Sequence, residues 1–258
     1  VLIWEGGNDI TNSEDPTTFQ KLIYEGEQEI KMWVNTSKDR NTFTKSKKKK
    51  LKAYTFTAHY EDNSPIIIYA TSKYGSKDKA EEQALTYGKM IGQLPTFLKK
   101  GIEIIHLNKS DHGWFWNAEK KGPSPIVIHS GYYVIEEAQG TFCYDEPCVL
   151  FHEELLSHES GHASIVKPYI NNKTGRTSKK LLPEKWKLAV KADNKFVSRY
   201  ATTTKSEDLA ESINAWIMVR YKKDRISEDV YNKIIESIPN RLKYFDEQNY
   251  DVYPLVSK

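Results

Sequence analysis

Within residues 151–163, His158 and His162 stand four apart, so on a helix both imidazoles leave one face about a turn apart and can share a tetrahedral zinc. Glu159 lies beside them, where a carboxylate can take a proton from a water whose pKa the metal lowers toward roughly 7. The pattern is His-Glu-x-x-His, and its setting has to carry the assignment. Val149, Leu150, Leu155, Leu156 and Ala163 supply that setting, a helix with a buried side rather than a surface helix bearing two ordinary histidines.

Two imidazoles and a water leave one protein ligand to find. A metzincin would place Gly three and His six residues beyond His162, but those positions are Ile165 and Pro168, which excludes that class. His152 has the wrong spacing and reads as an ordinary histidine of the same helix. Further on, Ser206 opens a helix on which Glu207 and Glu211 share a face, with Leu209, Ile213, Trp216 and Ile217 for its apolar contacts. One carboxylate can ligate zinc while the other accepts from the outer nitrogen of a ligand histidine and fixes its tautomer. Glu207 is expected as the third ligand and Glu211 as its outer partner. Acidic residues in a first helical turn are otherwise exposed and favoured by the helix dipole. Tyr200, seven residues before Glu207, can donate its phenol to the oxyanion of a tetrahedral intermediate. Packing is the alternative role for any one of 16 tyrosines.

The elements that must position these groups read as strands first and helices afterwards, an α+β chain. Residues 53–60 and 66–71 are β-rich runs joined by a polar turn, an antiparallel hairpin. Ser76 caps a helix with the apolar stripe Ala80, Ala84, Tyr87, Ile91, Leu94 and Leu98, which Pro95 ends or kinks near Leu94. Strands are expected at 102–107 and 125–129, the second flanked by prolines that fit a sheet edge. Helices are expected near 149–165, 183–192, 206–222 and 227–247, with Ser206 and Ser227 as caps. Residues 1–50 form a strand-rich segment of unknown role. Residues 51–258 form the catalytic domain, an N-lobe to about 148 and a C-lobe beyond it.

Thirty-eight Lys and Arg against 35 Asp and Glu give +3, too balanced to imply nucleic acid. Lys45, Lys47 to Lys50 and Lys52 make one dense basic run, read as a solvated surface loop because no aromatics interleave with it to stack on bases. An anion or nucleic-acid site there is the alternative. No apolar stretch approaches the roughly 20 residues of a membrane span. Residue 1 is Val and no apolar leader precedes the folded-looking chain, as after removal of a signal segment. Cys143 and Cys148 enclose four residues and can close a local disulfide, which implies an oxidising compartment. Sequons at Asn35, Asn108 and Asn172 permit secretion in a glycosylating host.

His158-Glu159-x-x-His162 followed by Tyr200, six residues, then Glu207 resembles the lethal-factor-like zinc metallopeptidases, which include the Pro-Pro endopeptidases. The segment from Tyr200 to Glu211 carries the likeness, which extends more loosely over residues 53–247. The resemblance implies a zincin-like fold with the active-site helix between the two lobes. It implies one zinc held by His158, His162 and Glu207, with Glu159 as general base and Tyr200 on the oxyanion. A secreted, monomeric endopeptidase is expected, acting on peptide or protein substrates. The peptide would add as a strand to Ile126, Val127, Ile128, His129 and Ser130, read as an exposed edge. The Trp114–Trp116 loop would line a subsite or a satellite core. The competing expectation is a non-catalytic zinc-containing binding protein or toxin subunit on a peptidase fold.

Overall fold

The structure is a computed structural model that describes residues 15–39, 45–132, 149–171 and 176–256. It is a mixed α+β chain with a six-stranded mixed sheet and, among the described residues, seven α-helices. The first three strands, β1 (Phe19–Asn35), β2 (Ser46–Tyr60) and β3 (Ile66–Thr71), form an antiparallel meander in which β3 and the second half of β2 turn alternate residues to the core. Asn63 takes the left-handed conformation in the β2–β3 turn. β2 runs unbroken across residue 50, where the sequence suggested a boundary, so residues 19–35 share one sheet with residues 66–71.

Ser76 Oγ accepts from Lys79 N and starts α1 (Lys77–Gln93), whose Ala80, Ala84, Tyr87 and Ile91 pack on the sheet; Leu94 and Pro95 end it as expected. The short α2 (Thr96–Lys99) leads to β4 (Ile104–Asn108), parallel to β3. Then come β5 (Phe115–Trp116) and β6 (Pro125–His129), giving the order β1-β2-β3-β4-β6-β5. The expected edge strand is therefore not an edge. β6 lies parallel to β4 on one side and antiparallel to β5 on the other, and Ile126, Val127, Ile128 and His129 are buried. The Ser130 hydroxyl accepts from the Tyr74 phenol. The edge is the two-residue β5, too short to show alternation in the sequence.

The lysine run is also not a loop. Residues 46–52 are strand β2, with Lys50 paired to Glu29 at 3.0 Å, Lys52 to Glu27 at 2.8 Å, and Lys48 to Glu119 at 2.8 Å. The far end of β1 crosses the sheet. Trp33 N donates to His106 Nδ1 at 3.0 Å, and Asn35 N donates to His129 Nε2 at 3.3 Å. Asn35 and Asn108 are buried, and their side-chain amides donate to Gly113 O and Trp33 O, so neither sequon presents an acceptor for a glycan in this fold. Asn172 and the proposed Cys143–Cys148 pair lie outside the described residues.

The C-terminal half is helical. α3 (Val149–Gly161) continues into a π-helical turn at His162–Val166, a distortion that recurs at functional sites. A two-stranded sheet pairs β7 (Ile170–Asn171) with β8 (Arg176–Thr177). Next are α4 (Glu184–Asp193) and α5 (Lys205–Tyr221). The expected helix 227–247 is two, α6 (Glu228–Ser237) and α7 (Pro239–Asp246), because Pro239 restricts Ile238 to a non-helical conformation. One apolar core joins the sheet, α1 and Leu156 of α3; a second gathers Trp186, Leu209, Ile213, Trp216 and Phe245 of the C-terminal helices. No helix among the described residues is long and apolar enough to cross a membrane.

Candidate metal centre

α3 and α5 cross where their side chains are smallest. A Cβ on Gly161 would lie 3.5 Å from Ala210 Cα and 3.3 Å from the Ile213 γ-methyl, so the bare glycine sets how near the helices come. That approach brings Glu207 to the histidines. His158 Nε2 and His162 Nε2 are 3.1 Å apart, and Glu207 Oε2 lies 2.9 Å from the first and 3.0 Å from the second. All three residues are buried, and together they could hold a metal ion. Two imidazole nitrogens aimed at each other beside a carboxylate oxygen form a donor set that suits a cation, and one with bonds of about 2 Å can touch all three.

Helix signals explain Glu207. Thr204 in extended conformation, not Ser206, is the cap, and its Oγ1 accepts from Glu207 N at 3.2 Å. Thr-x-x-Glu has the form of a capping box, but the Glu207 carboxylate turns to the histidines. One turn later Glu211 Oε1 accepts from His158 Nδ1 at 2.6 Å, the outer contact that orients a ligand imidazole. Glu211 Oε2 accepts in turn from Ser198 Oγ at 2.6 Å, and that same hydroxyl oxygen accepts from Ala201 N at 3.0 Å. Ser198 thus ties Glu211 to the turn bearing Tyr200. Nothing in the sequence marks it, because the link exists only in three dimensions.

Glu159 projects toward the sheet edge, where the Trp116 main-chain N–H donates to its Oε2 at 2.7 Å. Tyr200 begins a 3₁₀ turn, its ring centroid 5.7 Å from that of His158. Trp116, Glu159, His162, Tyr200 and Glu207 line one cleft of about 990 Å³. The structure thus brings together His158, Glu159, His162, Tyr200, Glu207 and Glu211, and leaves Ile126 to His129 inside the sheet.

Burial opposes charge on His158, but hydrogen bonds to Glu207 and Glu211 outweigh it and raise its pKa well above the ordinary value. Burial likewise disfavours the Glu207 carboxylate, yet His162 and His158 hold it well below the usual range. Glu159 is shifted up by burial, partly offset by His158 and His162. Burial, then the carboxylates of Glu207, Glu159 and Glu211, push the Tyr200 phenol far up, so it stays a donor. Glu154, one turn before His158, carries no signal in the sequence. It is buried, its Oε2 has no hydrogen-bond partner among the described residues, and burial followed by Glu211 pushes its pKa to about 8. Compared with protein-family models, with curated proteins and with solved structures, the chain matches none.

Proposed function

We propose that the chain is a secreted zinc-dependent endopeptidase of the lethal-factor-like kind. The observation that carries this is the convergence of His158, His162 and Glu207 on one point, beside a Glu159 carboxylate that lines the same cleft of about 990 Å³. Two imidazoles and one carboxylate are the ligand set of catalytic zinc sites that keep a position open. When bound there, zinc supplies a Lewis acid that polarises the scissile carbonyl and acidifies water. Glu159, held by Trp116 N–H, takes the proton of the attacking water and delivers it to the leaving amine. The Tyr200 phenol donates to the oxygen on which charge develops. Glu211 keeps the His158 proton on Nδ1, leaving Nε2 free to ligate. The peptide lies beside β5, the true edge, in the cleft that Trp116 and Tyr200 line.

Purified protein should contain one zinc per chain by elemental analysis, and should cleave a degenerate peptide library that a chelator protects. Glu159→Ala should keep the zinc and lose turnover; retention of full activity in that variant would reject the assignment. A library left intact by the zinc-loaded wild type would leave a binding protein instead. Tyr200→Phe should lower kcat about 10²–10³-fold with little change in zinc content, measured by steady-state kinetics.

A further inference from the structure

Beside the cleft, α4 presents an outer face to solvent. Trp186 and Ala189 face inward, while Leu188 projects outward with 58% of its surface exposed. Leu181, Leu188, Phe196 and Tyr200 are four of the seven large apolar residues exposed among the described residues, all within one stretch of 20 positions. The same stretch is strongly basic, since residues 179–205 hold eight Lys and Arg against two Asp and Glu. Exposed apolar surface and one sign of charge coincide here.

Of those four apolar residues only Leu188 reaches a second groove of about 470 Å³, lined also by Leu182, Trp186 and Val190 and by Lys179, Lys191 and Lys205. The nearby acids are already engaged. Glu184 is paired with Lys187, while Asp193 and Asp208 both bind the buried Arg241. The three lysines that line the groove have no carboxylate partner among the described residues. Val190, Lys205 and Asp208 line this groove and the metal cleft alike, so the two adjoin.

We propose that this groove is an exosite for an acidic segment of the substrate chain, one that sets an aliphatic side chain on Leu182 and Val190 and its carboxylates against Lys179, Lys191 and Lys205. The proposal rests on the endopeptidase reading and deepens it, placing specificity in charge distant from the scissile bond. An apolar lining with unpaired cations beside it matches a polypeptide of mixed Glu and Leu. The only aromatic side chain lining this groove among the described residues, Trp186, is buried, so the groove offers a nucleic acid no exposed ring on which to stack a base.

The test uses a cleavable core peptide chosen from the library, extended at either end by a neutral Gln/Leu tail or an acidic Glu/Leu tail. At low salt the acidic tail on one side should lower KM about tenfold, as two or three exposed ion pairs would, and the advantage should shrink near 0.5 M salt, where the Debye length falls to about 4 Å. In the double variant Lys179→Glu/Lys191→Glu, the ratio of KM values for neutral and acidic tails should fall to about one, with Lys179→Gln/Lys191→Gln between. Equal KM values for the two tails in wild type, or an advantage that survives charge reversal, would overturn the exosite while leaving the peptidase standing. If no core peptide is cleaved, the peptidase reading fails. Anisotropy of fluorescein-labelled Glu/Leu peptide on wild type and the charge-reversed variant then decides the groove: salt-sensitive binding lost in the variant supports it, and equal binding refutes it. Tighter binding of an oligonucleotide or a polyglutamate than of the Glu/Leu peptide would also refute it, since charge alone would then suffice.

Discussion

The chain buries two pairs of histidines and uses them in opposite ways. The rings of His158 on α3 and of His162 in the π-helical turn that follows face the carboxylates of Glu207 and Glu211. The rings of His106 and His129, on β4 and β6, face main-chain N–H groups of β1, which only an unprotonated ring nitrogen can accept. Burial disfavours the imidazolium in both places. At the sheet it prevails, helped by Lys48 near His106 and by His112 near His129, and their pKa values fall to about 4 and about 3. At His158 the carboxylates of Glu207 and Glu211 reverse it. Depth therefore does not assign a histidine's role; the groups facing its two nitrogens do.

The sharpest way to break this contrast is to remove one ring from each pair. His158→Ala should take zinc content and peptide hydrolysis to background. His129→Ala should keep its zinc and instead lower Tm by about 2–10 °C, because the buried Asn35 N–H is left without its acceptor. Elemental analysis and thermal scans on both variants separate the outcomes, and zinc loss in His129→Ala would contradict the contrast. A smaller effect is expected one layer out. Glu211→Gln should weaken zinc affinity about 10–100-fold in a chelator competition, and unchanged affinity would remove Glu211 from its orienting role.

The smallest effect lies at acid pH. His106 titrates near about 4 when folded, against about 6.5 in an unfolded chain, so between those values the unfolded chain binds more protons. Its contribution to stability is complete above pH ~6.5 and is lost as the pH falls through about 4. Urea titrations of His106→Gln should show a shallower fall in stability across that window than wild type, and parallel curves would sink the assignment.

Local spacing made the centre legible. His158, Glu159 and His162 share one helix, and Glu207 and Glu211 another, so each set's face comes from helical period alone. The α1 stripe and the β2–β3 hairpin were equally plain, because each is settled within about twenty residues of its own sequence. The hidden features depend on distant partners. The lysines of β2 look like loop until Glu27, Glu29 and Glu119 are set beside them. Pro125 hinted at an edge, yet the edge is Phe115 and Trp116, a pair too brief to carry a period. Ser198 bears on the site through a contact that no spacing encodes.

The missing side chain at Gly161 makes the five-residue histidine motif insufficient in isolation. Transplanted onto another scaffold, it would supply two imidazoles and a base, but no third ligand unless a second helix could settle equally close against an unadorned backbone. A designer who wished to move the candidate metal centre would have to carry the crossing along with the residues, and substitution of Gly161 by anything bulky should push Glu207 away from the histidines.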